Sequence, residues 1–176
     1  MDPFEILGVP RGFGVDDAAL ALRHRELTRL LHPDRHAAGG AAERRHSLEK
    51  MIEVNDAFRI LKDPVRRAAW LLSQQGISLE GSEGVDRFLP PTFLMEVMEQ
   101  REELAEARAA KALARVKALG GSVAAQRDVA LAELAAAFEA SDSSRAAAAL
   151  AKLRYHARFL EEVSSFEDEE FEDRHV

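Results

Sequence analysis

The sequence predicts an all-α protein. Its 176 residues are 47% hydrophobic but only 6% aromatic, and much of the apolar content is alanine, which favours packed helices over a sheet of β-branched and aromatic residues. Apolar residues also recur at helical spacing, and the stretches that carry them are separated by breaks with capping residues. A chain of this length has room for one full core or two small ones.

The first long helix is predicted to follow the turn-rich connector GVPRGFG. Asp16 or Asp17 can cap its start. Leu20, Leu27 and Leu31 share one face and are predicted to point inward, whereas Arg25 and Arg29 lie on the opposite face. Pro33 lacks an N–H and disfavours helical geometry at His32, so we expect the helix to end here.

A second helix is predicted to begin near Ala41 and to carry apolar residues at helical spacing from Leu48 to Phe58. The connection between the two helices is short, so we expect them to run antiparallel. Asp63-Pro64 stops the second helix, and a short helix closed by Gly76 follows. Residues 1–75 are therefore predicted to form one compact helical domain.

The second half is predicted to form an antiparallel three-helix bundle over residues 91–163. A glycine-rich linker over 76–90 ends in prolines and marks the domain boundary. Helices at 91–118, 122–140 and 143–163 are separated by GGS and SDSS, and such short loops favour antiparallel packing. We expect the acidic stretch 164–176 to be a disordered tail.

Charge and composition exclude several classes of function. Residues 1–75 carry 12 Lys and Arg against 11 Asp and Glu, whereas the rest carries 12 against 20. An acidic chain without a basic cluster argues against nucleic-acid binding. The absence of cysteine excludes disulfides, thiolate metal sites and cysteine nucleophiles. The chain shows no signal peptide and no membrane-spanning stretch, so we expect a cytoplasmic protein.

The histidines do not predict catalysis or metal binding. His32 and Asp34 lack the nucleophile, oriented partner and dry pocket that an acid–base pair requires. Pro33 separates His32 from His36, which removes the helical spacing of a zinc site. We interpret His24, His32, His36 and His46 as separate surface histidines, and we expect no cofactor.

The stretch HPDR, residues 32–35, has two interpretations from the residues alone. It can be a plain helix stop, in which Asp34 caps a turn and His32 interacts with the helix dipole. It can also be a docking surface for an acidic partner, because it is a rigid polar loop directly beyond Arg25 and Arg29 on the outer face of the helix.

Residues 1–75 resemble a J-domain. The resemblance rests on the basic helix, the His32-Pro33-Asp34 loop and the later segment EVNDAFRILKDP. It implies docking on an ATP-driven chaperone of the DnaK/HscA class and stimulation of that chaperone's ATPase, with no catalysis by this chain. The residues implied in chaperone binding are His32, Pro33, Asp34, Arg25, Arg29 and Arg35. One departure is Leu31, where many J-domains carry an aromatic residue at or near this position.

The second half resembles HscB-type iron–sulfur cluster co-chaperones. The segments RAAWLLSQQG, FLMEVMEQREEL and KLRY carry this resemblance. With the J-domain they cover nearly the whole chain apart from the acidic tail. The Gly/Phe linker and cysteine-rich zinc region of general DnaJ-type proteins are missing.

The apolar residues of FLMEVMEQREEL span an arc wider than one core contact needs. Either both neighbouring helices cover this arc, or part of it is exposed and its flexible methionines form a binding surface. The resemblance favours exposure, because it implies that this patch binds an IscU-like scaffold. The implied scaffold-binding residues are Leu94, Met95, Met98, Glu99, Glu102 and Tyr155.

The sequence thus predicts a co-chaperone that binds an IscU-like scaffold, presents it to an HscA-like chaperone and aids iron–sulfur cluster assembly. Two alternatives remain open. The chain can be a J-protein that delivers a different client to a DnaK-like chaperone, or a structural helical module in which HPDR is only a turn.

Overall fold

The computed structural model describes residues 1–32, 40–79, 81 and 86–173. Within these ranges the chain forms helices and no strand, which confirms the all-α prediction. The chain divides into two compact units, Met1–Gly76 and Ile77–Val176. None of the helices in the described ranges is long and apolar enough to cross a membrane.

The described residues of the first unit form four helices: α1 (Pro3–Leu7), α2 (Asp17–Leu30), α3 (Ala41–Lys62) and α4 (Pro64–Ser73). Aspartates start three of them. The Asp16 carboxylate accepts hydrogen bonds from two backbone N–H groups of α2, and Asp2 and Asp63 cap α1 and α4 in the same way. Such caps satisfy N–H groups that have no partner within a helix.

Helices α2 and α3 pack antiparallel, and their buried faces form the core of the first unit. Leu20 of α2 and Val54, Ala57 and Leu61 of α3 are buried, and the two helices contact each other. The buried stripe of α3 is therefore rotated from the predicted one, and Leu48 and Ile52 are about half exposed. Trp70 packs within this unit, with its ring centroid 5.5 Å from that of Phe4.

The second unit contains three long helices: α5 (Pro91–Ala109), α6 (Leu113–Glu139) and α7 (Ser143–Asp173). Helices α5 and α6 run antiparallel, because Gln126 contacts Gln100 whereas the earlier Arg115 contacts the later Glu103. Helices α6 and α7 also run antiparallel, because Glu133 contacts Lys152 whereas the earlier Gly120 faces the later Val163. This arrangement is the predicted three-helix bundle.

The predicted break at GGS is wrong. Helix α6 runs through Gly120 and Gly121, and the turn between α5 and α6 lies at residues 110–112. At this turn the N–H of Ala112 donates to the Ala107 carbonyl oxygen at 2.9 Å, while Lys111 adopts a left-handed conformation with φ 49°. This is a Schellman turn, which usually has glycine where Lys111 stands.

Gly120 has a packing role instead. A Cβ atom built at Gly120 would lie 3.0 Å from Cγ1 of Val163 on α7, whereas one built at Gly121 meets nothing within 4 Å. Gly120 therefore allows α6 and α7 to approach closely, and Gly121 has no such constraint.

The two glycines should respond oppositely to substitution. We expect Gly120→Leu to lower the free energy of unfolding of the bundle by about 1–3 kcal/mol, because the new side chain overpacks the helix interface. Gly121→Ala should raise it by about 0.5–1 kcal/mol, since alanine is the better helix former. Urea unfolding followed by circular dichroism measures both, and similar effects of the two substitutions would contradict the packing role of Gly120.

The predicted disordered tail at 164–176 is also wrong as far as the structure describes it. Helix α7 continues to Asp173, and residues 174–176 lie outside the described ranges. Phe166 is buried against Leu104 and Val116, and the Arg108 guanidinium lies 5.4 Å from its ring centroid. Burial of this aromatic ring stabilises the extra turns despite their acidic composition.

The linker predicted over 76–90 is partly packed on the bundle. Leu79 and Leu89 are buried, with 3% and 7% exposure. The Arg154 guanidinium of α7 donates a hydrogen bond to the Leu79 carbonyl oxygen. The described residues of this segment from Ile77 onward therefore belong structurally to the second unit.

Candidate partner-binding surfaces

The outer face of α2 forms the first candidate surface. Arg25 and Arg29 are exposed on it, as the sequence predicts. Helix α2 ends at Leu30, Leu31 caps it, and the exposed His32 follows. The other predicted residues of the loop, Pro33, Asp34 and Arg35, lie outside the described residues. Of the six residues predicted to bind the chaperone, the structure thus describes three: Arg25, Arg29 and His32.

A hydrogen bond fixes the backbone immediately before His32. The Ser47 hydroxyl of α3 donates to the Leu31 carbonyl oxygen at 2.6 Å, and Ser47 is only 4% exposed. A buried hydroxyl that satisfies the last carbonyls of a helix is costly to leave unpaired. Ser47 therefore anchors the backbone at the end of α2, and no local pattern in the sequence marks it for this role.

His24 holds the middle of α2 to α3. Its Nε2 atom lies 2.9 Å from Oδ1 of Asn55, and its ring stacks on Phe58 with centroids 4.0 Å apart. Our prediction of a surface histidine at this position is wrong, because the ring is half-buried between the helices. Asn55 is thus a hydrogen-bonded residue of the α2–α3 interface.

Helix α5 carries the second candidate surface. Val97 and Leu104 are buried and face the bundle core, whereas Met95 and Met98 are 63% and 70% exposed. Leu94 is half-buried beside them. The apolar arc therefore extends beyond the core, as expected from its width. Two predicted acidic residues, Glu99 and Glu102, are exposed on the same helix.

Tyr155 of α7 lies beside the start of α5. Its ring meets the Phe93 ring edge-on, with centroids 6.1 Å apart. Its hydroxyl donates a hydrogen bond to Oδ1 of Asp86 at 2.6 Å, and this bond raises the pKa of the phenol above its usual range. The sequence indicated Tyr155 but gave no sign of its partner Asp86, which is 69 residues away.

His156 also meets the Phe93 ring edge-on, with centroids 5.7 Å apart, but it is more deeply buried than Tyr155. It is 3% exposed, and burial lowers the pKa of its imidazole, which is therefore neutral at pH 7. It lines a cavity of about 380 Å³ between the bundle helices, together with residues such as Phe93 and Val129. In the described ranges no group of three or more His, Cys, Asp or Glu residues is placed to hold a metal ion.

Two family models match the chain, one in each unit. The DnaJ domain model matches residues 2–70, which contain α2, α3 and the predicted loop. The model described as the HSCB C-terminal oligomerisation domain matches residues 89–164. The first match and the α2–α3 hairpin indicate a J-domain co-chaperone.

Relatives similar over nearly the whole length support the second match. A curated HscB homologue of Vibrio cholerae is 36% identical over 96% of this chain and 98% of its own length. A homologue of Cupriavidus taiwanensis is 34% identical over 93% of this chain and 92% of its own. Both carry the name co-chaperone protein HscB homolog.

Solved structures of HscB proteins also match this chain over nearly its whole length. The structure of chaperone HscB from Vibrio cholerae matches with a TM-score of 0.80 and 36% identity, over 96% of this chain and 99% of that one. Human co-chaperone HscB matches with a TM-score of 0.80 and 32% identity, over 93% of this chain and 81% of that one. The chain belongs to the HscB family of J-domain co-chaperones.

Proposed function

We propose that this co-chaperone binds an IscU-like iron–sulfur scaffold, delivers it to an HscA-like chaperone and stimulates the ATPase of that chaperone. The observation that carries the proposal is that one chain holds two exposed surfaces of different chemistry, in separate units. One is the basic face of α2 that leads to His32, and the other is the apolar face of α5 around Met98.

Charge and rigidity suit the first surface to an acidic chaperone surface. Arg25 and Arg29 supply exposed positive charge, which accelerates encounter with an acidic partner. The Ser47 hydrogen bond and the His24–Asn55 contact hold the α2–α3 hairpin in one arrangement. A preorganised surface loses less conformational entropy on binding. On this proposal Pro33, Asp34 and Arg35 complete the contact.

The second surface suits an apolar patch on a folded scaffold. Met95 and Met98 expose flexible apolar side chains that can adapt to a partner. Glu99 and Glu102 border them and favour a partner with basic residues around its apolar patch. Tyr155, on α7, is the sixth residue predicted to belong to the scaffold-binding surface.

Tethering links the two surfaces. When one chain holds the scaffold and also contacts the chaperone, the effective concentration of scaffold at the chaperone rises without any new contact. Neither interface needs to be tight, and micromolar affinity, about 8 kcal/mol of binding free energy, allows release in a cycle. This chain needs no catalytic residue for that role, because hydrolysis takes place on the partner.

The test measures the steady-state ATPase of a purified HscA-like chaperone with this protein alone, with IscU-like scaffold alone and with both. We expect stimulation by each and more than additive stimulation by both together, because the tether couples the two binding events. Additive rates would contradict delivery and leave only ATPase activation. Rates equal to those of the chaperone alone would contradict both parts of the proposal.

A further inference from the structure

Tyr155 was predicted as a scaffold contact, but much of its bonding capacity is used within the second unit. Its hydroxyl donates to Asp86, and its ring packs against the edge of Phe93. The side chain is only partly exposed. A hydroxyl already bonded to a carboxylate at 2.6 Å has little to offer a partner.

Asp86 belongs to a segment that we call the strap, defined here as residues 77–79 and 86–90. Leu79 and Leu89 are buried at its two ends. Arg154 of α7 donates to the Leu79 carbonyl oxygen, and the Arg87 guanidinium donates to the Ser78 carbonyl oxygen at 2.9 Å. Consecutive residues of α7, Arg154 and Tyr155, therefore hold both described parts of the strap.

The strap continues directly into α5. The backbone N–H groups of Phe93 and Leu94 donate to the carbonyl oxygen of Pro90, the last residue of the strap, at 3.0 and 3.3 Å. Phe93 lies in the first turn of α5 and is the residue that the Tyr155 ring contacts. Tyr155 thus contacts the strap with its hydroxyl and the first turn of α5 with its ring.

We propose that Tyr155 is a positioning residue of the α5 surface. With Asp86 it clamps the strap to α7, and the clamp sets the orientation of the first turns of α5, which carry Leu94, Met95 and Met98. The claim that the clamp orients α5 requires no partner. The claim that the clamp affects scaffold affinity rests on the proposed function.

Electrostatics favour the clamp over a broad pH range. The charged groups around the phenol are Asp86 in the strap, Arg158 on α7 and Arg101 on α5. The hydrogen bond to Asp86 and burial raise the pKa of the phenol, and the two arginines oppose this shift. Since the pKa of the phenol is raised, the phenol stays protonated at neutral pH and donates this bond.

The first experiment titrates the phenol. Tyr155 is the one tyrosine of the chain, so the phenolate absorbance near 295 nm reports it alone. We expect Asp86→Ala to lower the phenol pKa toward its usual range. The matched control is Glu133→Gln, which removes another carboxylate that contacts α7 through Lys152 and should leave the titration unchanged. An unchanged titration in Asp86→Ala would overturn the clamp.

The second experiment observes α5 without a partner. The chain has four methionines, and their methyl groups give separate signals in carbon–proton correlation spectra. Asp86→Ala and Tyr155→Phe should both shift the signals of Met95 and Met98 while those of Met1 and Met51, in the other unit, stay in place. Asp86→Asn, which can still accept the hydrogen bond, should restore them in part. Unchanged Met95 and Met98 signals would overturn the positioning role.

The third experiment measures scaffold affinity. We expect Asp86→Ala and Tyr155→Phe each to weaken binding of an IscU-like scaffold about threefold to tenfold, as expected for one hydrogen bond. The double variant should lose no more than either single one, because both remove the same bond. Shifted methionine signals with unchanged affinity would overturn the effect on binding. If the wild type itself fails to bind, the proposed function fails, while the first two experiments still decide the clamp.

Discussion

The His32→Gln variant is expected to lose at least about 90% of the stimulation of an HscA-like ATPase while it keeps its fold. Removal of one anchoring side chain from the centre of an interface costs 2 kcal/mol or more at hot spots, which corresponds to a factor of about thirty. The measurement is the steady-state ATPase rate of the chaperone as a function of co-chaperone concentration.

The structure gives the physical reason for so large an effect. His32 is exposed directly after α2, and the buried Ser47 hydroxyl holds the preceding carbonyl. The backbone that immediately precedes the imidazole is therefore held in place by α3. Glutamine has similar length and can form hydrogen bonds, but it lacks the planar ring with two nitrogens in a fixed geometry.

His46→Gln is the matched control. His46 is also exposed, lies one residue before Ser47 in α3, and undergoes the same chemical change. We expect it to stimulate the ATPase as the wild type does. Trp70, the single tryptophan and a residue of the first unit, reports by its fluorescence whether either variant unfolds. Equal stimulation by wild type and His32→Gln would favour the structural-module interpretation of the loop.

The helix ends that could be predicted correctly from the sequence are those marked by a capping residue or a proline. Asp16 and the Asp63-Pro64 pair determine where α2, α3 and α4 begin or end, because a capping carboxylate and a missing N–H act within one turn of the chain. These signals need no knowledge of tertiary contacts. The class of fold follows from them together with the composition.

The turns of the bundle show why sequence patterns can mislead. Lys111 and Ser141 adopt left-handed conformations with φ 49° and 56°, although glycine is the residue that favours this region. The glycines at 120 and 121 lie inside α6, where Gly120 is required by Val163 of a different helix. A glycine selected by packing cannot be told from a glycine selected by a turn without the partner helix.

For the candidate surfaces too, the sequence predicts some features and misses others. The exposure of Met95 and Met98 is one of the two outcomes that the wide apolar arc allows, and the family resemblance favours it over coverage by both neighbouring helices. The roles of Ser47, His24 and Asp86 could not be predicted, since each depends on a residue at least 16 positions away. Periodicity identifies faces, but these hydrogen bonds depend on tertiary packing.

The double variant Leu94→Ala/Met98→Ala is expected to weaken binding of an IscU-like scaffold by about a hundredfold. Full burial of a leucine or methionine side chain contributes about 1.5–3 kcal/mol. Met98 is 70% exposed in this structure and has most of that area to bury, whereas the half-buried Leu94 has less. A combined loss of about 2.7 kcal/mol corresponds to the hundredfold change, measured by calorimetry or by capture of purified scaffold.

Val129→Ala is the control that makes this prediction specific to one surface. Val129 is 62% exposed and apolar but lies on α6, so its truncation should leave scaffold affinity unchanged. The double variant should still stimulate the ATPase in the absence of scaffold, because the basic face of α2 lies in the other unit. With scaffold present, it should lose only the part of the stimulation that exceeds the sum of the two separate effects. Equal losses of affinity in Val129→Ala and the double variant would contradict a scaffold site on α5. Loss of scaffold-independent stimulation in the double variant would contradict the assignment of the two activities to separate units.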